Sequence, residues 1–253
     1  MQSFLTGLQF LSRIRIVRQN DWSNERFSRS VRYFPLVGAS VGGVMAIVSY
    51  LLIFILPMVG ITIPEVGLTA ILLAVWLYLG GGLTCDGFMD TMDGVFSGRD
   101  REKMLVIMKD SRVGANGVVG FVMLALLKWA MLMSLPITYV PITFFIASVL
   151  GKTAMTLAIV RFPYARSDGI GKMFQLCADR ETLITALICT AVCLLPFGVS
   201  ALICAVGAFG AALYLGQYVT RILGGLTGDV YGAIAETIEL LVLVLLVIIT
   251  NYQ

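Results

Sequence analysis

Long apolar runs alternate with short polar segments along the whole chain. The apolar runs fall at roughly 35–56, 66–83, 115–134, 139–160, 182–196, 199–219 and 231–250. Several reach the ~20 residues that a helix needs to cross the hydrocarbon layer. The pattern therefore predicts an all-α, polytopic membrane helical bundle, one domain over residues 1–253, with about seven transmembrane helices. Pro196 and Gly198 mark only a short break between the fifth and sixth runs, so a kinked pair or a re-entrant hairpin is the alternative there. Two amphipathic segments are expected to lie at the interface. Residues 2–17 carry Phe4, Leu8, Leu11 and Ile14 on one face, a loosely attached tail being the other reading. Near 101–109, Met104, Leu105, Ile107 and Met108 alternate with Arg101, Glu102, Lys103 and Lys109. Residues 161–181, with Pro163, Gly169 and Gly171, read as a loop or lid.

Composition agrees: 58% of residues are hydrophobic and 13% charged, and mean hydropathy is +0.93. The basic residues sit in alternate connections. Arg13, Arg15, Arg18, Arg26, Arg29 and Arg32 precede the first run. Arg99, Arg101, Lys103, Lys109 and Arg112 follow the second, Arg161, Arg166, Lys172 and Arg180 follow the fourth, and Arg221 follows the sixth. Residues 58–65, 135–138, 197–198 and 251–253 contain no Lys or Arg. The positive-inside rule then puts the N-terminus in the cytoplasm and the C-terminus outside, in the cell (inner) membrane. Arg13 follows the first apolar stretch instead of preceding it, so no signal peptide is expected.

Carboxylates cluster beside the inner ends of these runs. Asp86, Asp90 and Asp93 stand at i, i+4 and i+7, on one face of a helix, with Asp110 further on; Asp229, Glu236 and Glu239 form a second group. Three like charges on one stripe repel. A bound divalent cation would remove the repulsion, and oxygen donors suit Mg²⁺, Mn²⁺ or Ca²⁺. The chain has no histidine, which excludes a Ser-His-Asp triad and a HExxH zinc site. The five cysteines form no CxxC pair, so neither a disulfide nor zinc is expected. Two carboxylate groups on one side of a membrane could hold metal around a pyrophosphate, with Lys109, Arg112 and Arg166 supplying positive charge.

Gly81-Gly82-Leu83-Thr84-x-Asp86 recurs as Gly224-Gly225-Leu226-Thr227-x-Asp229. Either parallel repeats bring both copies to one site, or the phrase merely ends helices and recurs by chance. Gly38-x-x-x-Gly42 reads as a helix-packing face. Lys128 and Lys152 lie within apolar runs, where a cation is either paired or functional. Lys152 is placed to reach a phosphate at the interface, and Lys128 to neutralise Glu236 or Glu239.

The motifs resemble one family over nearly the whole chain. Asp86-Gly-x-x-Asp90-Thr-x-Asp93-Gly-Val-Phe-Ser-x-Arg99, Met104-x-x-x-Met108-Lys-Asp-Ser-Arg112-x-Gly114, Pro163-Tyr-Ala-Arg166-x-x-Gly169-x-Gly171 and Gly224-Gly-x-Thr-Gly-Asp229-x-x-Gly-Ala-x-x-Glu236 are similar to the signatures of cobalamin (5′-phosphate) synthases, the adenosylcobinamide-GDP ribazoletransferases. Phe10-Leu-Ser-Arg13 and Phe34-Pro-Leu-Val-Gly38 also fit. The chain departs at 14–18, where a Pro is usual, and at 114–118, where many members carry a His. The resemblance implies that the 5′-hydroxyl or 5′-phosphate of α-ribazole attacks the cobinamide-linked phosphorus of adenosylcobinamide-GDP and that GMP leaves. It implies Mg²⁺ as cofactor, with Asp86, Asp90, Asp93 and Asp229 as ligands. Asp110 or Glu236 would complete the shell or take a proton, and Lys109, Arg112, Lys152 and Arg166 would hold phosphates. The expected partners are those two small molecules and the lipid bilayer; no nucleic acid is expected, and a homo-oligomer is left open.

A CDP-alcohol phosphotransferase is the nearest rival. Its Asp-x-x-Asp-Gly-x-x-Ala-Arg is approached at Asp90–Arg99 with one residue too many, and its downstream Gly-x-x-x-Asp-x-x-x-Asp is missing. A cation or metabolite transporter would place ionisable groups on both sides of the membrane, whereas here only Glu65 stands in an outward connection.

Overall fold

The computed structural model describes residues 2–17 and 23–251; Arg18 and residues 252–253 lie outside the described residues. Among the described residues the structure is all-α, with one isolated β-bridge and no strand. The helices are α1 (Gln2–Leu11), α2 (Asn24–Ser30), α3 (Phe34–Tyr50), α4 (Glu65–Leu79), α5 (Leu83–Val95), α6 (Arg101–Ile107), α7 (Ala115–Ser134), α8 (Val140–Arg161), α9 (Ile170–Gln175), α10 (Arg180–Leu194), α11 (Gly198–Leu223) and α12 (Gly228–Asn251). By length and composition five stretches could cross a membrane, or six if α4 and α5, bent by 89°, count as one.

One of these stretches, Arg180–Leu223, is 44 residues long. It is two helices that reverse at a 3₁₀ turn, Leu195–Phe197. α10 runs antiparallel to α8: Thr190 meets Thr153, and the Phe197 ring lies 5.6 Å from Phe145 near the start of α8. α11 then runs parallel to α8, so that Gly216 lies beside Phe162. The turn thus reaches the far end of α8, and the fifth and sixth apolar runs form a hairpin. The all-α polytopic bundle expected from the hydropathy pattern is thus observed, although α4, with 15 residues, reaches the length of a span only together with α5.

α8 is the central post, with 83% of its most apolar window buried. α3 crosses it with backbone nearly in contact, because Gly38 and Gly42 leave no side chain between them. A Cβ at Gly38 would lie 2.2 Å from the Ser148 carbonyl oxygen, and one at Gly42 2.7 Å from Phe145 Cα. α1 is not a loose tail. Leu8 and Leu11 are fully buried, and Arg13 N–H donates to Leu79 O at 2.9 Å, closing the C-terminus of α4. The second apolar run ends earlier than its hydropathy suggests. α4 stops at Leu79, and residues 80–82 turn the chain into α5.

Candidate active site

Gly81 and Gly82 both have positive φ (77° and 78°), a conformation side chains resist, and together they produce the 89° bend between α4 and α5. α5, with 13 residues, is about 20 Å long and too short to span the bilayer. It crosses the start of α12 with no side chain between the backbones. A Cβ at Gly87 would lie 2.7 Å from Asp229 O, and one at Gly232 would lie 3.0 Å from Thr84 Cα. The two acidic stretches, far apart in sequence, therefore meet. Asp86 and Asp229 line one hollow of about 200 Å³, together with Thr84, Tyr164, Arg166 and Gly228.

The segment after α8 forms the second wall. Ala165 N–H donates to Leu226 O and Leu226 N–H to Pro163 O, each at 2.8 Å, forming the single bridge. Glycines permit this docking: a Cβ at Gly225 would strike Pro163 O at 2.7 Å, and one at Gly171 the Tyr164 ring at 2.6 Å. Arg101, on α6, ties the wall down, donating to Leu223 O at 2.7 Å and to Ala165 O at 3.3 Å. Arg166 is thereby held in the hollow. Its Nη2 is 3.0 Å from Asp229 Oδ2, yet neither Nε nor Nη2 has an aligned hydrogen-bond acceptor. The contact is a charge pair that leaves donors unused. Thr227 Oγ1 also donates to Asp229, at 3.1 Å. Burial holds the Tyr164 phenol above its usual range, so it stays protonated.

Asp90 faces the same charge. Burial, then Asp86, Asp229 and Asp93, push its carboxyl up to about 7, against the pull of Arg166. Among the described residues, no three His, Cys, Asp or Glu side chains stand together as a ready metal cage.

Several sequence expectations divide at this point. Asp93 does not share the free face of Asp86 and Asp90. Its buried carboxylate accepts N–H groups of Gly114 at 2.7 Å and Gly117 at 2.8 Å, so it caps α7, where the helix dipole favours a negative charge. Glu236, expected to complete the metal shell or take a proton, and Lys152, expected as a phosphate contact, lie outside the hollow in a buried charge network. Lys128 Nζ donates to Glu236 at 2.5 Å and to Glu239 at 2.8 Å, and Lys152 Nζ lies 3.8 Å from Glu239. Of the two alternatives for Lys128, ion pairing is the one observed, and it engages both glutamates. Asp110 and Arg112 pair with each other at 2.7 Å on an exposed loop, and Arg112 holds the Asp110 carboxyl down at about 2. Neither lines the hollow. Lys109 pairs with Asp168 at 3.3 Å, linking the two loops at this end of the bundle.

The sequence reading overlooked Tyr164, Arg101 and the glycine pair Gly87 and Gly232 as builders of the site. The glycines were visible: each stands within three residues of an acidic ligand candidate, in a helix where glycine is otherwise unfavourable.

Fold and site define an integral-membrane helical protein with an acidic, arginine-bearing hollow at one end of its bundle. The profile of the cobalamin-5-phosphate synthase family matches residues 3–247. Among relatives, the adenosylcobinamide-GDP ribazoletransferase of Desulforamulus reducens is 37% identical over 249 residues, covering 97% of this chain and 94% of its own. Those of Acetivibrio thermocellus (33% identical, 97% of each chain) and Roseiflexus sp. (36% identical, 94% of this chain and 86% of its own) are similar over nearly the same length. No solved structure matches the chain. The chain belongs to the cobalamin-5-phosphate synthase family.

Proposed function

We propose that this chain joins α-ribazole, or its 5′-phosphate, to adenosylcobinamide-GDP with release of GMP, using Mg²⁺ held in the Asp86–Asp229 hollow at the cytoplasmic face of the membrane. Family membership and the relatives' shared name make the chain a transferase of cobalamin biosynthesis. The observation that carries the site assignment is the convergence of Asp86, Asp229 and Arg166 on one hollow. The basic connections at that end of the bundle support its cytoplasmic orientation.

The residues suit the metal. Mg²⁺ prefers hard oxygen donors and takes only one or two carboxylates, leaving the remaining positions to substrate phosphates and water. An open set of carboxylates fits that habit better than a closed cage. Asp86 and Asp229, with Asp90 beside them, would hold the ion; burial first and the neighbouring carboxylates second raise the Asp90 carboxyl, and a cation would offset both. Once bound, Mg²⁺ would withdraw charge from the diphosphate bridge and steady the leaving GMP.

The remaining work falls to side chains. The unused N–H groups of Arg166 would bind the phosphoryl oxygens as charge-assisted donors. Tyr164 would donate from the same wall. The 5′-phosphate is carried through to the product, so the nucleophile is a ribose hydroxyl. As its oxygen bonds to the cobinamide-linked phosphorus, the bond between that phosphorus and the bridging oxygen breaks, and GMP leaves with the electron pair. Asp90 would accept the hydroxyl proton. Asp90, beside the ion, fits that task better than Asp110, which Arg112 clamps at about 2 on an exposed loop outside the hollow. The hollow takes the diphosphate end of the substrate and leaves the corrin ring outside, below residues 161–181.

Purified protein in lipid vesicles, given Mg²⁺, α-ribazole and adenosylcobinamide-GDP, is expected to release GMP. Asp86→Asn and Asp229→Asn are expected to stop that release while the protein stays folded. Undiminished turnover in both variants would overturn the assignment of the hollow.

A further inference from the structure

Five helices send side chains to a single buried knot beside the candidate site. α7 supplies Lys128, fully buried and 4.5 Å from the Trp76 ring centroid on α4. α12 supplies Glu236 and Glu239, α8 supplies Lys152, and α5 supplies Thr84. The two lysines and two glutamates cancel in formal charge, as a buried set must if it is not to cost several kcal/mol per unpaired ion. Glu236 divides its two oxygens. Oε2 takes Lys128 at 2.5 Å, and Oε1 accepts the Thr84 hydroxyl at 2.6 Å with the Cys85 thiol at 3.5 Å.

Thr84 is the link between this knot and the chemistry. It stands in the first turn of α5, two residues before Asp86, just after the Gly81-Gly82 bend. Two successive glycines with positive φ leave that junction pliable in itself, because glycine adds no steric restraint of its own. No side chain caps the start of α5. The Thr84–Glu236 bond is therefore the polar contact that fixes where α5 begins. The close approach of Thr84 Cα to Gly232 sets the separation from α12, and the hydrogen bond sets the rotation.

We propose that Thr84, Glu236 and Lys128 are positioning residues, which lock the rotation of α5 so that Asp86 faces Asp229 across the hollow. Lys128 fixes Glu236, Glu236 fixes Thr84, and Thr84 fixes the carboxylates; Lys128 and Glu236 lie outside the hollow, and Thr84 lines its edge with its hydroxyl turned to Glu236. The proposal rests on the reading of the hollow as the active site.

Thr84→Val removes the hydroxyl while keeping the shape, Thr84→Ser returns the hydroxyl, and Thr84→Ala is measured alongside so that a folding failure in one variant leaves the test intact. If α5 turns by a fraction of an ångström, turnover is expected to fall about tenfold, since a full 1 Å misplacement costs about a hundredfold. Substrate KM is expected to hold, because the phosphate-binding wall at 163–166 is built separately. The apparent Mn²⁺ dissociation constant, read by electron paramagnetic resonance with Mn²⁺ alone, should rise several-fold in Val and Ala and return in Ser. Wild-type turnover and Mn²⁺ affinity in Thr84→Val would overturn the proposal, as would failure of Thr84→Ser to restore either. Asp86→Asn separates the two levels. If it is inactive while Thr84→Val is normal, the positioning role fails and the site stands. If Asp86→Asn turns over normally, the site assignment fails and the positioning role falls with it.

Discussion

Replacing Gly87 by alanine adds one methyl group where two helices carrying the acidic residues touch. Its Cβ would sit 2.7 Å from Asp229 O, 2.9 Å from Asp229 Cα and 3.2 Å from Asp229 C. All three are backbone atoms, so no side chain can rotate away. The shortest approach falls about 0.7 Å short of the 3.4 Å at which ordinary contact begins. The start of α12 is pinned by the pairing of Leu226 with Pro163 and Ala165, and the start of α5 by Thr84. The displacement must then open the gap between Asp86 and Asp229. A shift approaching 1 Å at a reacting centre costs about a hundredfold, so Gly87→Ala is expected to lower GMP release by about ten- to a hundredfold. Overpacking should cost about 1–3 kcal/mol, partly offset by the ~1 kcal/mol helix preference of alanine over glycine. The protein should therefore still fold. Gly43→Ala is the control, since a Cβ there meets nothing within 4 Å; it should leave turnover unchanged. Measured together in vesicles, GMP release and thermal midpoint separate loss of geometry from loss of fold. A Gly87→Ala protein with wild-type turnover would refute the claim that this crossing sets the site.

Four other outcomes follow from the same geometry. Lys128→Met leaves two buried glutamates facing only a lysine 3.8 Å from one of them, and should cost about 3–5 kcal/mol of unfolding free energy in detergent; a loss below about 1 kcal/mol would mean that the knot is not stabilising. With Asp90 raised to about 7, its carboxyl is mostly protonated below that pH, and a cation must displace the proton. Mn²⁺ affinity should therefore weaken toward pH 6 and level off above pH 8, and a flat profile would contradict the crowding at Asp90. Arg166→Lys keeps the charge but loses the fork, and should reduce turnover about tenfold; an unchanged rate would remove Arg166 from phosphate binding. Asp110→Asn, which disturbs only an exposed pair with Arg112, should leave turnover within about twofold, and abolition would restore Asp110 to the chemistry.

Hydropathy was enough to draw the all-α bundle, because membrane helices announce themselves by length and composition; the break at Pro196–Gly198 was legible as a break, and the structure resolves it as a reversal at Leu195–Phe197. The Gly38-x-x-x-Gly42 crossing and the helical stripe of Asp86 and Asp90 were equally readable, since both follow from helix periodicity alone. Asp93 was misread for a specific reason. Its spacing is that of a third ligand, and only the tertiary structure reveals Gly114 and Gly117 waiting with unpaired N–H groups. Glu236 and Lys152 failed likewise. A buried ion network and a catalytic cluster use the same residue types near the same interface, so the pairing of Lys128 with Glu236 or Glu239 could be read from the sequence while the withdrawal of Glu236 and Lys152 from the site could not. The Tyr164–Leu226 bridge joins two loops and has no periodic signature to betray it.

The contrast between those two charge clusters separates structure from chemistry. In the knot, two cations meet two anions and each has a partner within 3.8 Å. At the hollow, Asp86 and Asp229, with Asp90 within electrostatic reach, face Arg166, an excess of two negative charges when all are ionised. Folding gains nothing from leaving that excess in place, since a protein can neutralise it with a nearby lysine, as this one does in the knot. The excess equals the charge of one divalent ion. The same arithmetic bears on Arg166: once a cation occupies Asp229, the ion pair at 3.0 Å loses its purpose, and the guanidinium becomes available to a phosphate. Arg166 would then hold Asp229 in the resting protein and the substrate in the loaded one, and its unaligned donors are what a side chain with two partners in turn requires.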